Sequence, residues 1–217
     1  MMPKGIDISE FQGDINLLNY DIDFVIIRAG DGSYWDDHLD INIQKAIQSD
    51  TPYGLYWLIR DYKIADAEKT AARLCEYADA QAVRPTVGIW VDLEDEWDDD
   101  PLVCVKPAQA FLATVEDHNY YAGYYCNWHY WDQIHEHLAK YDCWIADWDE
   151  DMNSDPNVGT MKQYAVWGNV DRDVTFVPLE TYNLRDNEDH KAEVMILIKN
   201  KLADIRRLIS EMEELLQ

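Results

Sequence analysis

The chain alternates short apolar runs, rich in Val, Ile, Tyr and Trp, with longer stretches whose apolar residues recur at helical spacing. The runs at 4–8, 24–29, 53–59, 86–93, 121–126, 142–147, 162–167 and 170–176 predict β-strands, because β-branched and aromatic side chains suit a pleated, half-buried surface. The stretches at 38–49, 64–82 and 105–118, with a shorter one near 130–139, predict helices between them. Near-continuous apolar strands alternating with helices predict a parallel sheet covered by helices, and about eight strands in this length suit a closed barrel. The expected fold class is α/β, an irregular TIM-like β/α barrel over residues 1–180.

From Glu188 the pattern changes to helix alone. Met195, Ile198, Leu202, Ile205, Ile209, Met212 and Leu216 recur at alternating spacings of three and four, and Leu208 and Leu215 widen the stripe. The spacing predicts a C-terminal amphipathic, coiled-coil-like helix over 188–217. Such a stripe either packs on the barrel or pairs with another copy, so residues 195–216 are a candidate homo-oligomer contact. Heptad positions mixing Met, Ile and Leu set no strand number.

Acidic residues stand where several strands should end. Asp7 follows Gly5-Ile6, Asp92 and Glu94 close the run Gly88-Ile89-Trp90-Val91, Asp147 follows Trp144-Ile145-Ala146, and Asp171 and Asp173 follow Asn169-Val170. In a β/α barrel the C-terminal strand ends carry the chemistry. Side chains at i and i+2 of a strand share a face, about 6.5–7 Å apart, so Asp92 and Glu94 should look into one space while Leu93 points away. Two carboxyl groups in one pocket can hold different protonation states, which glycoside hydrolysis needs: a proton for the leaving oxygen and negative charge near an oxocarbenium-like centre. A Glu94 that keeps its proton near neutrality needs burial or a like charge nearby, and Asp92 and Asp7 supply the charge. The spacing leaves open both a retaining route, with carboxyls about 5–5.5 Å apart, and an inverting one at about 6.5–9.5 Å. Each acid also has a structural role open to it. Asp7 can cap the following turn, Asp92 and Glu94 can form a solvated strand end, Asp147 can pair with Lys162 or Arg60, and Asp171 can pair with Arg28.

Composition narrows the partners. Nine Trp and 14 Tyr stand against four Phe, and rings with a flat apolar face and a polar edge suit sugars. Tyr56, Tyr125, Trp144 and Trp148 are candidate sugar platforms, with core packing as the alternative for each. The net charge of −25 argues against nucleic acid and anionic membrane surfaces as partners, and no apolar run approaches the ~18 residues of a membrane span. Met1-Met2-Pro3-Lys4-Gly5 leads straight into strand-like sequence, so the expectation is a chain made in the cytoplasm without a signal peptide. Cys75, Cys104, Cys126 and Cys143 have no metal-type spacing and read as reduced core thiols. Asp151-Met152-Asn153-Ser154-Asp155 opens like a calcium loop, but Pro156 stands where the turn needs Gly and Lys162 where the bidentate Glu belongs. Glu94 to Asp100 is an acidic run that reads as a solvated loop at a cleft rim, and His135 and His137 are wrongly spaced to share a helix face as ligands. No metal and no cofactor is expected.

Taken in order, these segments resemble the glycoside hydrolase family 25 lysozymes, the muramidases. Gly5-Ile6-Asp7-Ile8-Ser9-Glu10-Phe11-Gln12-Gly13 is similar to the family's opening motif, Phe24 to Gly32 to its second strand, and Tyr53-Gly54-Leu55-Tyr56 to its third. Val91-Asp92-Leu93-Glu94 resembles the Asp-x-Glu strand, Cys143 to Trp148 the later Trp-Ile-Ala segment, and Lys162-Gln163-Tyr164 with Val170-Asp171 the closing strands. The resemblance covers about residues 3–177 of the chain and departs after Tyr56, where Trp57-Leu58 replaces a usual His-Phe. It implies hydrolysis of the β-1,4 bond between N-acetylmuramic acid and N-acetylglucosamine in bacterial peptidoglycan. Glu94 takes the place of the general acid, Asp92 of its electrostatic or substrate-assisting partner, and Asp7 and Asp171 of the other cleft acids, with Asp173 an alternative to Asp171. Tyr56, Tyr125, Trp144, Asp147, Trp148 and Gln163 are the expected substrate-binding residues. With no wall-binding repeats, release by phage lysis or carriage on a virion follows as an expectation. The competing expectations are a non-catalytic, glycan-binding or structural barrel of a phage particle, and a barrel acting on another N-acetyl sugar polymer such as chitin.

Overall fold

The computed structural model describes residues 2–60, 63–94 and 100–183. The elements are β1 (Lys4–Ile8), β2 (Phe24–Asp31), β3 (Tyr34–Trp35), α1 (Leu39–Gln48), β4 (Tyr53–Leu58), α2 (Ile64–Asp79), β5 (Ile89–Asp92), α3 (Val105–Asp117), β6 (Ala122–Asn127), α4 (Trp128–Ile134), β7 (Asp142–Ala146), β8 (Met161–Trp167) and β9 (Val170–Thr175). Eight strands close a ring in the order β1-β9-β8-β7-β6-β5-β4-β2, with β2 returning to β1. The two-residue β3 pairs only with the end of β2, outside that ring.

Alternation along each strand divides the core in two. Ile6, Ile8, Val25, Ile27, Leu55, Ile89, Val91, Tyr124 and Ile145 join the larger cluster with the buried faces of the helices. The alternate positions Phe24, Ile26, Trp90, Tyr125, Trp144 and Met161 form a second cluster that fills the barrel. In α2 the buried residues Ala67, Ala71, Leu74, Cys75 and Ala78 fall on one stripe, and all but Leu74 are small, which suits close packing against α3. Gly123 serves the interior in the same way: a Cβ there would lie 2.3 Å from the Trp90 ring. All four cysteines are buried free thiols, as their apolar settings suggested.

The structure corrects the all-parallel expectation. Seven ring strands run parallel, but β9 is antiparallel to both of its neighbours, β8 and β1. The reason is local. Only Gly168 and Asn169 separate β8 from β9, and Gly168 has φ +71, so the chain reverses in a two-residue hairpin. A parallel partner would need a crossover of a dozen residues or more. Asp171 therefore lies at the start of β9, not at its C-terminal end, yet reversal brings it to the same mouth as the ends of β1 and β5. The predicted helix at 130–139 begins earlier, at Trp128, because the Asn127 side chain caps it by accepting from Tyr130 N at 3.0 Å. The coiled-coil stripe of 195–216 and the rest of the 188–217 segment lie outside the described residues.

Candidate active site

A cleft of about 320 Å³ opens at this mouth, lined by Asp7, Asp92, Glu94 and Asp171 together with Tyr56, Tyr125, Trp144, Trp148 and Gln163. Asp92 is the last residue of β5 and is buried, Leu93 turns into the outer core, and Glu94 is exposed at the rim. The i, i+2 reading of this segment matches the structure. Asp7 is register-paired with Asp171 across the β1–β9 ladder, so these two carboxyls face each other on neighbouring strands. Asp7 does not cap the following turn. Ser9 does so, accepting from Phe11 N at 3.3 Å, with Gln12 completing a capping box.

A hydrogen-bond relay fixes Asp7. Gln163 Nε2 donates to Asp7 Oδ2 at 2.7 Å, while Gln163 Oε1 accepts from the Tyr125 hydroxyl at 2.9 Å and from Trp148 Nε1 at 2.8 Å. These donors leave the Gln163 amide a single orientation. Deeper in the barrel, Trp144 Nε1 donates to Asp173 Oδ1 at 2.9 Å. Asp171 lines the cleft, and Asp173 is wholly buried and is not among its lining residues.

Burial, with crowding at two of them, raises the proton affinity of Asp7, Asp92 and Asp171. Burial, then the charge of Asp171, pushes Asp7 up to about 8, although the Gln163 hydrogen bond works against it. Asp92 is held well above the usual carboxylate range by burial, then by Glu94 and Asp7, and its Oδ1 is buried with no hydrogen-bond partner among the described residues. Burial also raises Asp171. Of the two acids of this segment, Asp92 is the buried one and Glu94 the exposed one.

Tyr56, Tyr125 and Trp144 pack edge to face, with centroids 6.0 Å (Tyr56–Trp144) and 4.7 Å (Tyr125–Trp144) apart, so they are at once cleft wall and barrel core. Trp148 is 62% exposed and offers its ring to solvent. Asp147 does not line the cleft. Its carboxylate lies 3.6 Å from the buried Lys162 Nζ, which also bonds Asp149 Oδ1 at 2.8 Å, Asp155 Oδ2 at 3.0 Å and the Asp151 carbonyl at 3.2 Å. Carboxylate oxygens of Asp147, Asp149 and Asp155 come within 4.8 Å of one another, the kind of group that can hold a metal ion. Here the Lys162 ammonium supplies the positive charge. Despite partial burial, its hydrogen bond and the Asp151 N–H bring Asp149 down to about 2.

The sequence reading missed Ser9, Phe11, Gln12, Arg28 and Val166, which also line the cleft. Phe11 is 74% exposed, with the Arg28 guanidinium 4.7 Å from its ring centroid. Arg28 is not a partner of Asp171. It bonds Asp36 Oδ2 at 2.6 Å and Glu10 Oε1 at 2.7 Å. Ser9, Phe11 and Gln12 follow Asp7 within the same nine-residue motif, and that proximity was the available signal.

Solved structures share this architecture. The modular autolysin LytC from Streptococcus pneumoniae superimposes with a TM-score of 0.68 at 24% identity, and its complex with a synthetic peptidoglycan ligand with 0.69 at 23%. Each match covers 80% of this chain but 46% of the autolysin, so this chain spans under half the length of that protein. A family 25 glycosyl hydrolase from Bacillus anthracis gives 0.68 at 20% identity, covering 83% of this chain and 93% of the other. The catalytic domain of endolysin ply40 from bacteriophage P40 of Listeria monocytogenes gives 0.67 at 22%, covering 81% and 93%. No curated protein sequence matches the chain. Residues 6–173 match the profile of the Glycosyl hydrolases family 25, a stretch that runs from the first strand of the ring to the last and holds every acid of the cleft. The chain belongs to that family.

Proposed function

We propose that this protein is a muramidase that hydrolyses the β-1,4 bond between N-acetylmuramic acid and N-acetylglucosamine in bacterial peptidoglycan. The observation that carries the reading is the convergence of Asp7, Asp92, Glu94 and Asp171 on one aromatic-walled cleft in a family 25 chain. Glu94 is the proton donor. Its exposed position at the rim lets a bound glycan cover it, and a covered carboxyl gains proton affinity through desolvation. The proton passes to the glycosidic oxygen as the C–O bond breaks, leaving positive charge on the sugar ring. Asp92 stands behind Glu94, and Asp7 and Asp171 face the same space. The developing charge favours their ionised forms, so their electrostatic contribution is greatest in the transition state. Trp148 and Phe11 are the exposed rings of the rim and serve as sugar platforms. Action on the cell wall follows from the substrate, with a phage lysis protein or virion component as its setting.

One observation favours a second assignment within the same reaction: Asp92, not Glu94, is the buried acid, with an oxygen that has no partner among the described residues, so it is the better proton reservoir before a glycan binds. Reducing-sugar release from purified peptidoglycan by the wild type, Glu94→Gln and Asp92→Asn separates the two. With Glu94 as donor, Glu94→Gln falls at least ~100-fold, the scale of a lost general acid. An active Glu94→Gln beside an inactive Asp92→Asn transfers the donor role to Asp92. No release by the wild type on several wall types overturns the enzyme and leaves a glycan-binding barrel.

A further inference from the structure

Asp173 has no part in the scheme above, yet it is wholly buried and does not reach the cleft. It lies on β9 opposite Gly5 of β1 and Gln163 of β8. Its Oδ1 takes the Trp144 N–H, while its Oδ2 is buried with no donor from any described N–H or hydroxyl group. What Asp173 does meet is Asp7: its register partner Gly5 has no side chain, so its diagonal neighbour on the same face of β1 is the Asp7 carboxyl, and each of the two acids shifts the other's proton affinity. Two carboxylates offer only acceptors, so a hydrogen bond between them requires a proton on one of the pair.

The surroundings decide which one. Asp7 receives Gln163 Nε2 and opens on the cleft, so its negative charge has a donor and a path to water. Asp173 has one indole N–H and no solvent. Among the described residues the titratable groups that act on it are Asp7 on β1, Asp171 on its own strand, Tyr125 on β6 and Tyr164 on β8, none of them a cation. Arg172, its chain neighbour, turns to the other face and stacks over Trp167 at 4.4 Å and Tyr20 at 5.3 Å. An anion at Asp173 would be the worst-solvated charge in the group.

We propose that Asp173 is a positioning residue that works as a neutral acid, its O–H donating to the Asp7 carboxyl and setting the pH at which Asp7 becomes an anion. The role rests on the muramidase reading, because it acts on the reaction only through Asp7. Asp173 would hold Asp7 from below as Gln163 holds it from the side. The donor eases ionisation of a carboxyl that burial and the neighbouring acids oppose, and fixes which lone pairs face the substrate.

Asp173→Asn and Asp173→Leu test this together. The Asn amide can accept from Trp144 and donate to Asp7, whereas Leu fills similar volume and does neither. Asp173→Asn is expected to keep kcat within about threefold. Asp173→Leu should lose at least about tenfold in kcat with little change in KM, the scale of a missing hydrogen bond to a charged group. Its acidic limb should move to higher pH, since Asp7 without its donor holds its proton more tightly. Equal losses in both variants, or an unmoved limb in a folded Asp173→Leu, would overturn the role. A readout independent of activity is the carboxylic-acid C=O band in infrared difference spectra of wild type against Asp173→Asn at pH 7. The band is expected in the wild type and lost in the variant. Its absence refutes the neutral acid, whereas a band in a protein that releases no sugar keeps the neutral acid and removes the muramidase.

Discussion

Replacing Asp7 by Asn should make the protein more stable and less active, and the gain in stability should grow with pH. In the folded state the Asp7 proton is held up to about 8, against an ordinary 3.8. The sign follows from proton binding. Between those two values the unfolded chain has released the proton and the folded chain still binds it, so stability falls as pH rises. The fall is about 1.4 kcal/mol per pH unit, which makes about 4 kcal/mol between pH 4 and 7 from this one group. Below pH 4 both states are protonated and the contribution is absent. Asn has no such proton and can still accept from Gln163 Nε2, so the variant should match the wild type near pH 4 and exceed it by several kcal/mol near pH 7. Urea unfolding of both proteins at half-unit steps from pH 4 to 8 measures the difference directly, provided the urea dependence of each stays the same. Parallel stability curves over that range would refute the reasoning, since they would mean that Asp7 titrates alike in the folded and unfolded chain. Sugar release should fall in the same variant, an exchange of stability for function that buried catalytic acids commonly show.

Lys162→Met should cost about 3 kcal/mol, because it leaves three carboxylates of the 147–155 loop around a missing cation. Thermal unfolding reads that loss, and limited proteolysis should cut the loop first. Gly123→Ala forces a methyl against the Trp90 ring and should cost about 1–3 kcal/mol by the same unfolding assay. Trp148→Ala should raise KM about fivefold, from about 1 kcal/mol of lost ring contact, with little change in melting temperature because the ring is exposed. Trp148→Phe should restore most of the KM but not the hydrogen bond to Gln163, so a kcat deficit that remains in Trp148→Phe measures the relay.

The barrel was legible because its strands carry unbroken apolar runs and its helices a clear stripe, and both signals arise from burial. The placement of Asp92 and Glu94 was legible for a related reason: two carboxyls at i and i+2 of an apolar strand end share a face, and both line the cleft. Strand direction was misread at β9, although the two-residue separation of 162–167 from 170–176 is itself a hairpin signal. β3 was missed because two residues carry no periodicity. Lys162 was named as a partner for Asp147, but its contacts with Asp149 and Asp155 depend on how an irregular loop folds back, which no spacing encodes. The pairing of Arg28 with Asp36 and Glu10 was equally hidden, since it joins a strand to two turns across the barrel mouth.

Closure of the ring between its first and last strands has a consequence in time. Gln163 and Asp7 touch across a separation of 156 positions in the chain, and β1 finds its antiparallel partner in β9. A nascent polypeptide leaving the ribosome can form the early β/α units, but it holds half a catalytic mouth until the final hairpin emerges. Pairings of such long range are slow to form, because loop-closure entropy is lost before any contact compensates for it. The opening motif of the chain is thus the first part of the site to be synthesised and among the last to be completed, and hydrolytic competence should appear in one late step.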